Sequence, residues 1–530
     1  MKMNLKRTRV VAWHLRHCPP GAASDPKESG ITLNQTMKTL LGGFGVLLSL
    51  LCVHSYAAQQ TAIPLPNFIF INIDDLGYAD IGPFGSVLNR TPNLDRMAKE
   101  GRKLTCFYAA PVCSPSRASL MTGCYPKRVL PIPLVLWPGA AVGLNPEEQT
   151  VAELLKKAGY ATACIGKWHL GDQPEFLPTR QGFDCFFGIP YSNDMGLAED
   201  GANSSLGDPI RPRKEISYLP DEKPEVGIKG NPQPPLPLLE NEKVIERVRS
   251  PGQTTLVKRY TEKATQFIRA HKDKPFFLYL PHTAVHFPFY PGKDFQGKSH
   301  NGNYGDWVEE VDWSVGQILN TVRELNLSRN TLVIFTSDNG GGAGVAVNTP
   351  LRGFKNSTWE GGMRVPTIAW WPEKIPADTA TDEIAGMFDI LPTFVKLGGG
   401  RLPADRKLDG CDIWPVLSGK ADAKSPHEVF YFYRGLKLEA IRTGPWKLHL
   451  TRGELYNLDA DIGEVRNVAT ANPGVVKRLQ TLADSMKDDL GLDGIGPGCR
   501  ALGRVTNPQP LIKEDGTIRD GSSGDMKKLP

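Results

Sequence analysis

The first chemistry in this sequence comes from two acidic strand ends and one oddly placed thiol. Asp74-Asp75 closes the run "NFIFINIDDLG" (67–77), and Asp338-Asn339 closes "TLVIFTSDNGGG" (331–342). Three carboxylates and an amide are hard oxygen ligands, better suited to Ca²⁺ or Mg²⁺ than to zinc. An Asp after a strand is more often a turn or cap residue, but its recurrence at a second strand end favours a metal. In "PVCSPSRASLMTG" (111–123), Ser114 reads as an N-cap, Pro115 as the first helical residue and Gly123 as the stop. Cys113 then sits just outside a helix N-terminus, where backbone N–H groups and the dipole favour an anion. Arg117 follows about one turn later, within reach of the same anion. A buried structural thiol, a disulfide partner and a plain nucleophile all remain open for Cys113.

Five more residues could join such a site. Lys167 and His169 are two apart in "ATACIGKWHLG" (161–171). In an extended segment both would point the same way; the plainer alternative is a strand-end lysine and a packing histidine. His282 and His286 follow "FFLYLP", and each alone is more often structural than catalytic. Lys355, in "LRGFKNSTWEGG", would ordinarily be a solvated lysine.

The elements that must position these residues are legible as an alternation. Near-continuous apolar runs at 67–77, 161–171, 274–288 and 331–342 read as buried strands with polar C-terminal ends. Amphipathic helical patterns lie between them: "TPNLDRMAKEG", "VAELLKKAGY", "TLVKRYTEKATQFIRAH" and "VEEVDWSVGQILNTVRELN". Alternating strands and helices predict an α/β fold with a mostly parallel sheet, whose ligands bind beyond the carboxyl ends of the strands. Residues 205–240, rich in Pro and Gly, read as a long surface loop. After residue 400 come short strand-like runs, "EVFYFYR", "LEAIRTGPWKLHL" and "ELYNLDAD", which predict a small antiparallel C-terminal subdomain. The expected organisation is an extension or mis-called start (1–36), a signal peptide (37–58), a large catalytic unit (66–400), a C-terminal subdomain (401–504) and a polar, frayed tail (505–530).

The 530 residues carry a formal charge of +5. The first 58 hold seven Lys/Arg against two acids and so account for all of it. The neutral remainder argues against a nucleic-acid partner. "MKTLLGGFGVLLSLLCVHSYAAQQ", from Met37, has the basic start, apolar run and small residues of an export signal, and it is short for a membrane span. With Cys18, Cys52 and Cys113 set aside, six of nine cysteines remain, an even number that permits disulfides without requiring them.

With these residues in view, the chain resembles the type I sulfatases. Cys-Ser-Pro-Ser-Arg fits their C-x-P-x-R signature. "INIDDLGYADIG", "GKWHLG", "FTSDNG", "WEGGMRVP" and "ELYNLDADIGE" follow in order from about residue 66 to 470. "GFDCFFGIPYSNDMG" is most like the arylsulfatase A group, and "WEGGMRVPTIAWWP" is equally like the N-acetylgalactosamine-6-sulfatases. The resemblance implies an alkaline-phosphatase-like sandwich. It implies that Cys113 is oxidised during export to Cα-formylglycine, by a formylglycine-generating enzyme. Asp74, Asp75, Asp338 and Asn339, with the side chain at 113, would bind Ca²⁺, Mg²⁺ being the weaker candidate. Arg117 would orient the aldehyde hydrate, Lys167 and Lys355 would bind sulfate oxygens, and His169 would be the base. His286 would sit near the leaving-group oxygen, and Ser192, in "PYSND", would touch substrate; His282 has no counterpart. The implied substrate is a sulfated carbohydrate or small sulfate ester. The implied compartment is periplasmic or extracellular in a bacterium and lysosomal or secreted in an animal. The competing readings are a phosphonate or phosphate monoester hydrolase of the same superfamily, a catalytically silent glycan-binding protein, and an ordinary cysteine hydrolase.

Overall fold

The computed structural model of the chain describes residues 64–212 and 223–523. The expected extension and signal peptide lie outside the described residues. The strands, in chain order, are β1 (Asn67–Ile73), β2 (Arg102–Tyr108), β3 (Val142–Gly143), β4 (Ala161–Ile165), β5 (Cys185–Gly188), β6 (Pro237–Glu240), β7 (Lys243–Arg247), β8 (Phe276–Pro281), β9 (Thr331–Ser337), β10 (Arg364–Trp370), β11 (Thr379–Thr381), β12 (Ala385–Gly386), β13 (Phe430–Arg434), β14 (Lys437–Thr443), β15 (Trp446–His449), β16 (Glu454–Asn457) and β17 (Gly503–Arg504). The large sheet runs β11-β2-β10-β9-β1-β8-β4-β5-β6-β7, with β12 also on β2. Its centre, β9-β1-β8-β4-β5, is parallel, while β10 and β6 flank it antiparallel. This is the expected α/β sandwich with a mixed, centrally parallel sheet.

The pleat explains the apolar runs. Phe68 and Phe70 of β1 point to one face, where helices α2 (Cys113–Thr122), α3 (Val151–Lys157) and α6 (Ile390–Leu397) pack. Ile69, Ile71 and Ile73 point to the other, against α1 (Pro92–Glu100), α4 (Leu256–Ala270) and α5 (Gly302–Glu324). A strand covered on both faces reads as a near-continuous apolar run. On the first face Phe68 stacks on Phe394 of α6, with ring centroids 4.4 Å apart. Helix α3 starts on a capping box: Thr150 Oγ1 accepts from Glu153 N, and Glu153 Oε2 accepts from Thr150 N.

β13 to β16 form the expected separate antiparallel sheet, covered by α7 (Pro473–Asp484). Its junction with the large unit is aromatic and ionic together. Tyr108 of β2 packs on Phe430 at 4.5 Å, and the fully buried Lys447 ammonium bridges Glu360 (2.8 Å) and Glu464 (3.0 Å). Burial alone would raise the Glu360 carboxyl; Lys447, Arg442 and Arg364 outweigh it and hold it at about 2.

Four local expectations need correction. Helix α5 begins at Gly302 rather than near Val308, because Tyr304 and Trp307 extend its buried face toward the N-terminus. The stretch 205–240 is not loop throughout: Leu238 and Leu239 are buried in β6, which makes an edge hairpin with β7. Residues 505–523 do not fray. Leu511, Ile512 and Ile518 join the main core, and Arg519 donates to the Asp172 carbonyl and Gln173. Ile413 and Leu417, beyond residue 400, also belong to that core. The seven cysteines of the described residues form no disulfide with one another. Phe394→Ala should destabilise the protein by about 3–5 kcal/mol through transfer and cavity terms, measured as a lower denaturant midpoint at unchanged slope.

Candidate active site

The four strands β9, β1, β8 and β4 are neighbours in the sheet, and their carboxyl ends converge on one place. Asp74 and Asp75 leave β1, while Asp338 and Asn339 leave β9. Lys167 and His169 follow β4, and His286 follows β8. The chain is held there by backbone bonds across the strand ends: Asp74 N to Ala284 O (2.9 Å), Val285 N to Asp74 O (2.8 Å) and Asp338 N to Ile73 O (2.9 Å). Asp75 N donates to Asp338 Oδ1 at 3.4 Å, and Asp75 itself adopts φ +61°.

Each carboxylate has taken one cation. Asp338 Oδ2 accepts from Arg117 Nε (3.0 Å) and Nη2 (2.8 Å). Asp74 pairs with Lys167 Nζ at 2.5 Å, and Asp75 with Lys355 Nζ at 2.8 Å. Burial raises the Asp74 carboxyl, but Lys167, His286, Arg117 and Lys355 together hold it far below the usual carboxylate range. Asp338 is shifted up instead, by burial and by the neighbouring Asp74 charge. Asn339 Nδ2 donates to Asp75 Oδ1 (2.7 Å) and to the Gly340 carbonyl, whereas its Oδ1 is buried without a hydrogen-bond partner. An oxygen left without a donor beside these carboxylates could serve as a metal ligand. Ligand atoms of Asp74, Asp75, Cys113 and His286 also lie within 4.8 Å of one another. The donor set therefore fits a hard divalent cation.

Cys113 arrives from the opposite side, on α2. The expected cap is displaced: the helix begins at Cys113, Val112 is the N-cap and Ser114 is inside the first turn. Ser114 Oγ instead accepts from Leu136 N at 3.2 Å, fastening the loop that roofs the site. Gly123 ends the helix in the left-handed conformation, as its position predicts. Cys113 Sγ lies 3.2 Å from Asp74 Oδ1. Burial, Asp338 and Asp74 all push its thiol pKa up.

The histidines differ in kind. His169 Nε2 lies 2.9 Å from the Leu136 carbonyl, which can only accept, so Nε2 carries the proton. Its Nδ1 is a buried acceptor without a partner. Burial, then Lys167 and Arg117, push its pKa well below the ordinary value and keep the ring neutral. Lys167 and His169 share the site, though not through a simple extended segment: Gly166 and His169 both have positive φ. His286 Nδ1 bonds the Phe287 carbonyl and lies 3.3 Å from Ser192 Oγ, and its Nε2 is 3.6 Å from Asp75. Ser192 also accepts from Lys167 at 3.3 Å. His282 sits apart, bonded to Ser314 at 3.1 Å.

Cys113, His169, Ser192, His286 and Lys355 line a cavity of about 180 Å³ together with Trp137. Leu134, Val135, Asp194, Met195 and Asn356 also line it. None of these six further residues stands out in the sequence, since loop residues that shape a pocket follow no spacing rule.

The same architecture recurs in known proteins. The sulfatase family profile matches residues 66–400, and that of the N-sulphoglucosamine sulphohydrolase C-terminal region matches residues 354–490. Human (Homo sapiens) arylsulfatase A is 38% identical over 465 residues, 79% of this chain and 87% of that protein. N-acetylgalactosamine-6-sulfatase of Canis lupus familiaris is 37% identical over 405 residues, 72% of this chain and 71% of that protein. Among solved structures, PsFucS1 sulfatase from Pseudoalteromonas sp. superimposes with a TM-score of 0.69 at 27% identity, covering 83% of this chain and 92% of its own. Ps i-CgsB in complex with k-i-k-neocarrahexaose does so with a TM-score of 0.64 at 30% identity, covering 79% and 92%. With the extent of these matches, the chain belongs to the sulfatase family, whose members are sulfuric ester hydrolases.

Proposed function

We propose that this protein removes sulfate from a sulfated carbohydrate, using an aldehyde hydrate made from Cys113 and one Ca²⁺ held by Asp74, Asp75, Asp338 and Asn339. The observation that carries the reading is the placement of Cys113 Sγ 3.2 Å from Asp74, inside a hard-oxygen cluster with an orphaned amide oxygen. The carbohydrate substrate is supported by the solved neighbour that holds k-i-k-neocarrahexaose. Maturation by a formylglycine-generating enzyme and export from the cytoplasm belong to the same proposal. No helix among the described residues is long and apolar enough to cross a membrane.

Bound at this cluster, Ca²⁺ would offset the three carboxylates and lower the pKa of the attacking hydroxyl. A gem-diol at position 113 would supply one hydroxyl to attack sulfur and a second whose ionisation expels sulfate and restores the aldehyde. The remaining roles fall to groups already in place. Lys167 and Lys355 present fixed cations to the sulfate oxygens, which is worth more in a buried site than in water. Arg117 holds Asp338 with two bonds and stands beside the side chain at 113. The free Nδ1 of the neutral His169 ring is a base for the second hydroxyl. His286 is the candidate donor to the leaving oxygen, with its ring anchored through Nδ1. Ser192, between Lys167 and His286, would touch the ester.

The tryptic peptide Leu104–Arg117 contains both Cys106 and Cys113, so one mass spectrum includes its own control. From a host that matures another sulfatase, Cys113 should appear as the aldehyde and Cys106 should keep its sulfur. A sulfur retained at 113 in that host overturns the mechanism. Cys113→Ser should accept sulfate once and stop, because a monohydric alcohol has no second hydroxyl to expel it; steady turnover of 4-nitrophenyl sulfate by this variant would refute the hydrate. Chelation should abolish hydrolysis. Returning Ca²⁺ at a hundred times its Kd should stabilise the protein by about 2.7 kcal/mol, read as a rise in melting temperature. An unmoved melting temperature argues against a resident cation.

A further inference from the structure

We infer that Glu464, beyond the last strand of the C-terminal sheet, is a positioning residue for Lys355. The inference rests on the reading of Lys355 as a sulfate ligand. Lys355 stands in a loop that closes on itself, with Gly361 N donating to Arg352 O at 2.7 Å. Near its apex the loop reaches both halves of the site. Lys355 N donates to Gly341 O (3.1 Å), just past Asn339, and Asn356 N donates to Pro111 O (2.8 Å), just before Cys113.

Both ends of this loop are tied to Glu464. Its Oε2 accepts from Glu360 N at 2.7 Å, and its main-chain oxygen accepts from Arg352 Nη1 at 2.7 Å. The carboxylate is aimed by two donors of β15: Lys447 Nζ at 3.0 Å and His449 Nε2 at 2.8 Å both meet Oε1. Glu464 is fully buried at φ +51°, a backbone state that a non-glycine residue holds only when its surroundings enforce it. Trp359 is clamped from two sides, by the His449 ring at 3.9 Å and the Arg352 guanidinium at 3.8 Å. The loop is also too tight for side chains at its base. A Cβ on Gly361 would lie 2.5 Å from Gly353 O, and one on Gly362 would lie 2.2 Å from Ser357 O.

A cation on an untied loop would spend binding energy on its own ordering, at about 1–2 kcal/mol per backbone residue fixed. Glu464 removes that cost in advance, since the C-terminal sheet has already ordered the loop when sulfate arrives. The C-terminal sheet thereby enters sulfate recognition without touching the ester.

The test is a double-mutant cycle on calcium-loaded protein with quantified Cys113 conversion. Hydrolysis of 4-nitrophenyl sulfate is measured with inorganic sulfate as competing inhibitor. Glu464→Gln keeps the shape of the side chain and should lower kcat/KM about tenfold while raising the Ki for sulfate. In a Lys355→Ala background the same change should have less than about a twofold effect. Arg352→Ala cuts the second tie from the exposed side of the loop. It should show a smaller loss with the same dependence on Lys355, which keeps the test open if Glu464→Gln does not fold. Equal losses in both backgrounds would make Glu464 merely structural and overturn the inference. A Lys355→Ala variant with wild-type kcat/KM and Ki would instead overturn the sulfate-ligand reading beneath it.

Discussion

Three carboxylates brought together at adjacent strand ends repel one another, and the rest of the site is arranged around that repulsion. The answer in the polypeptide is one cation for each acid: Arg117 for Asp338, Lys167 for Asp74 and Lys355 for Asp75. Removing one partner of a buried pair costs about 3–5 kcal/mol, because the remaining charge is stranded. The three cations are therefore needed for folding. On the proposed reading, a divalent cation among the acids would free both ammonium groups for a sulfate.

This arrangement dictates where the fold must be rigid and where it must bend. Neighbouring parallel strands are the simplest way to deliver several acids to one spot, since all their carboxyl ends lie on one side. That geometry requires crossover helices on both faces, which is why β1 is buried at all seven positions and apolar at five of them. Just past the strand ends the backbone leaves its comfortable conformations. Asp75 and His169 take positive φ, at a cost of order 1–3 kcal/mol for such residues. The packed sheet beneath is what sustains that strain.

The features legible in the sequence share a physical origin. β1, β4, β8 and β9 announce themselves because double-sided burial removes polar residues, and their acidic ends are conspicuous against that background. Helices α1, α3 and α4 follow their apolar periodicity to within one to three residues at either end. The amphipathic signal fails where aromatic residues replace it, as at Tyr304 and Trp307 in α5, and where an edge hairpin hides in a Pro-rich stretch, as in β6. The tail escaped for a different reason: three apolar residues, Leu511, Ile512 and Ile518, spread over eight positions, have no local period. Only the tertiary groove they fill gives them a role. At α2 the local cap rule points to Ser114, but the Leu136 amide competes for that hydroxyl and the helix starts two residues earlier.

Lys355 shows most clearly what local reasoning cannot reach. Its neighbours form neither a helical face nor a strand, so an isolated reading leaves it in solvent. Its position follows instead from contacts far along the chain: Asp75 at its ammonium, Gly341 and Pro111 at the apex of its loop, and Glu464 at both ends. Each of those contacts depends on a different layer of the fold: the parallel strand ends, the start of α2, and the C-terminal sheet with its buried Lys447. A surface lysine becomes a candidate sulfate ligand only when all three layers are in place. On this view the small sheet is not an appendage to a self-sufficient catalytic unit, because one of the three cations that balance the acids is held from its side.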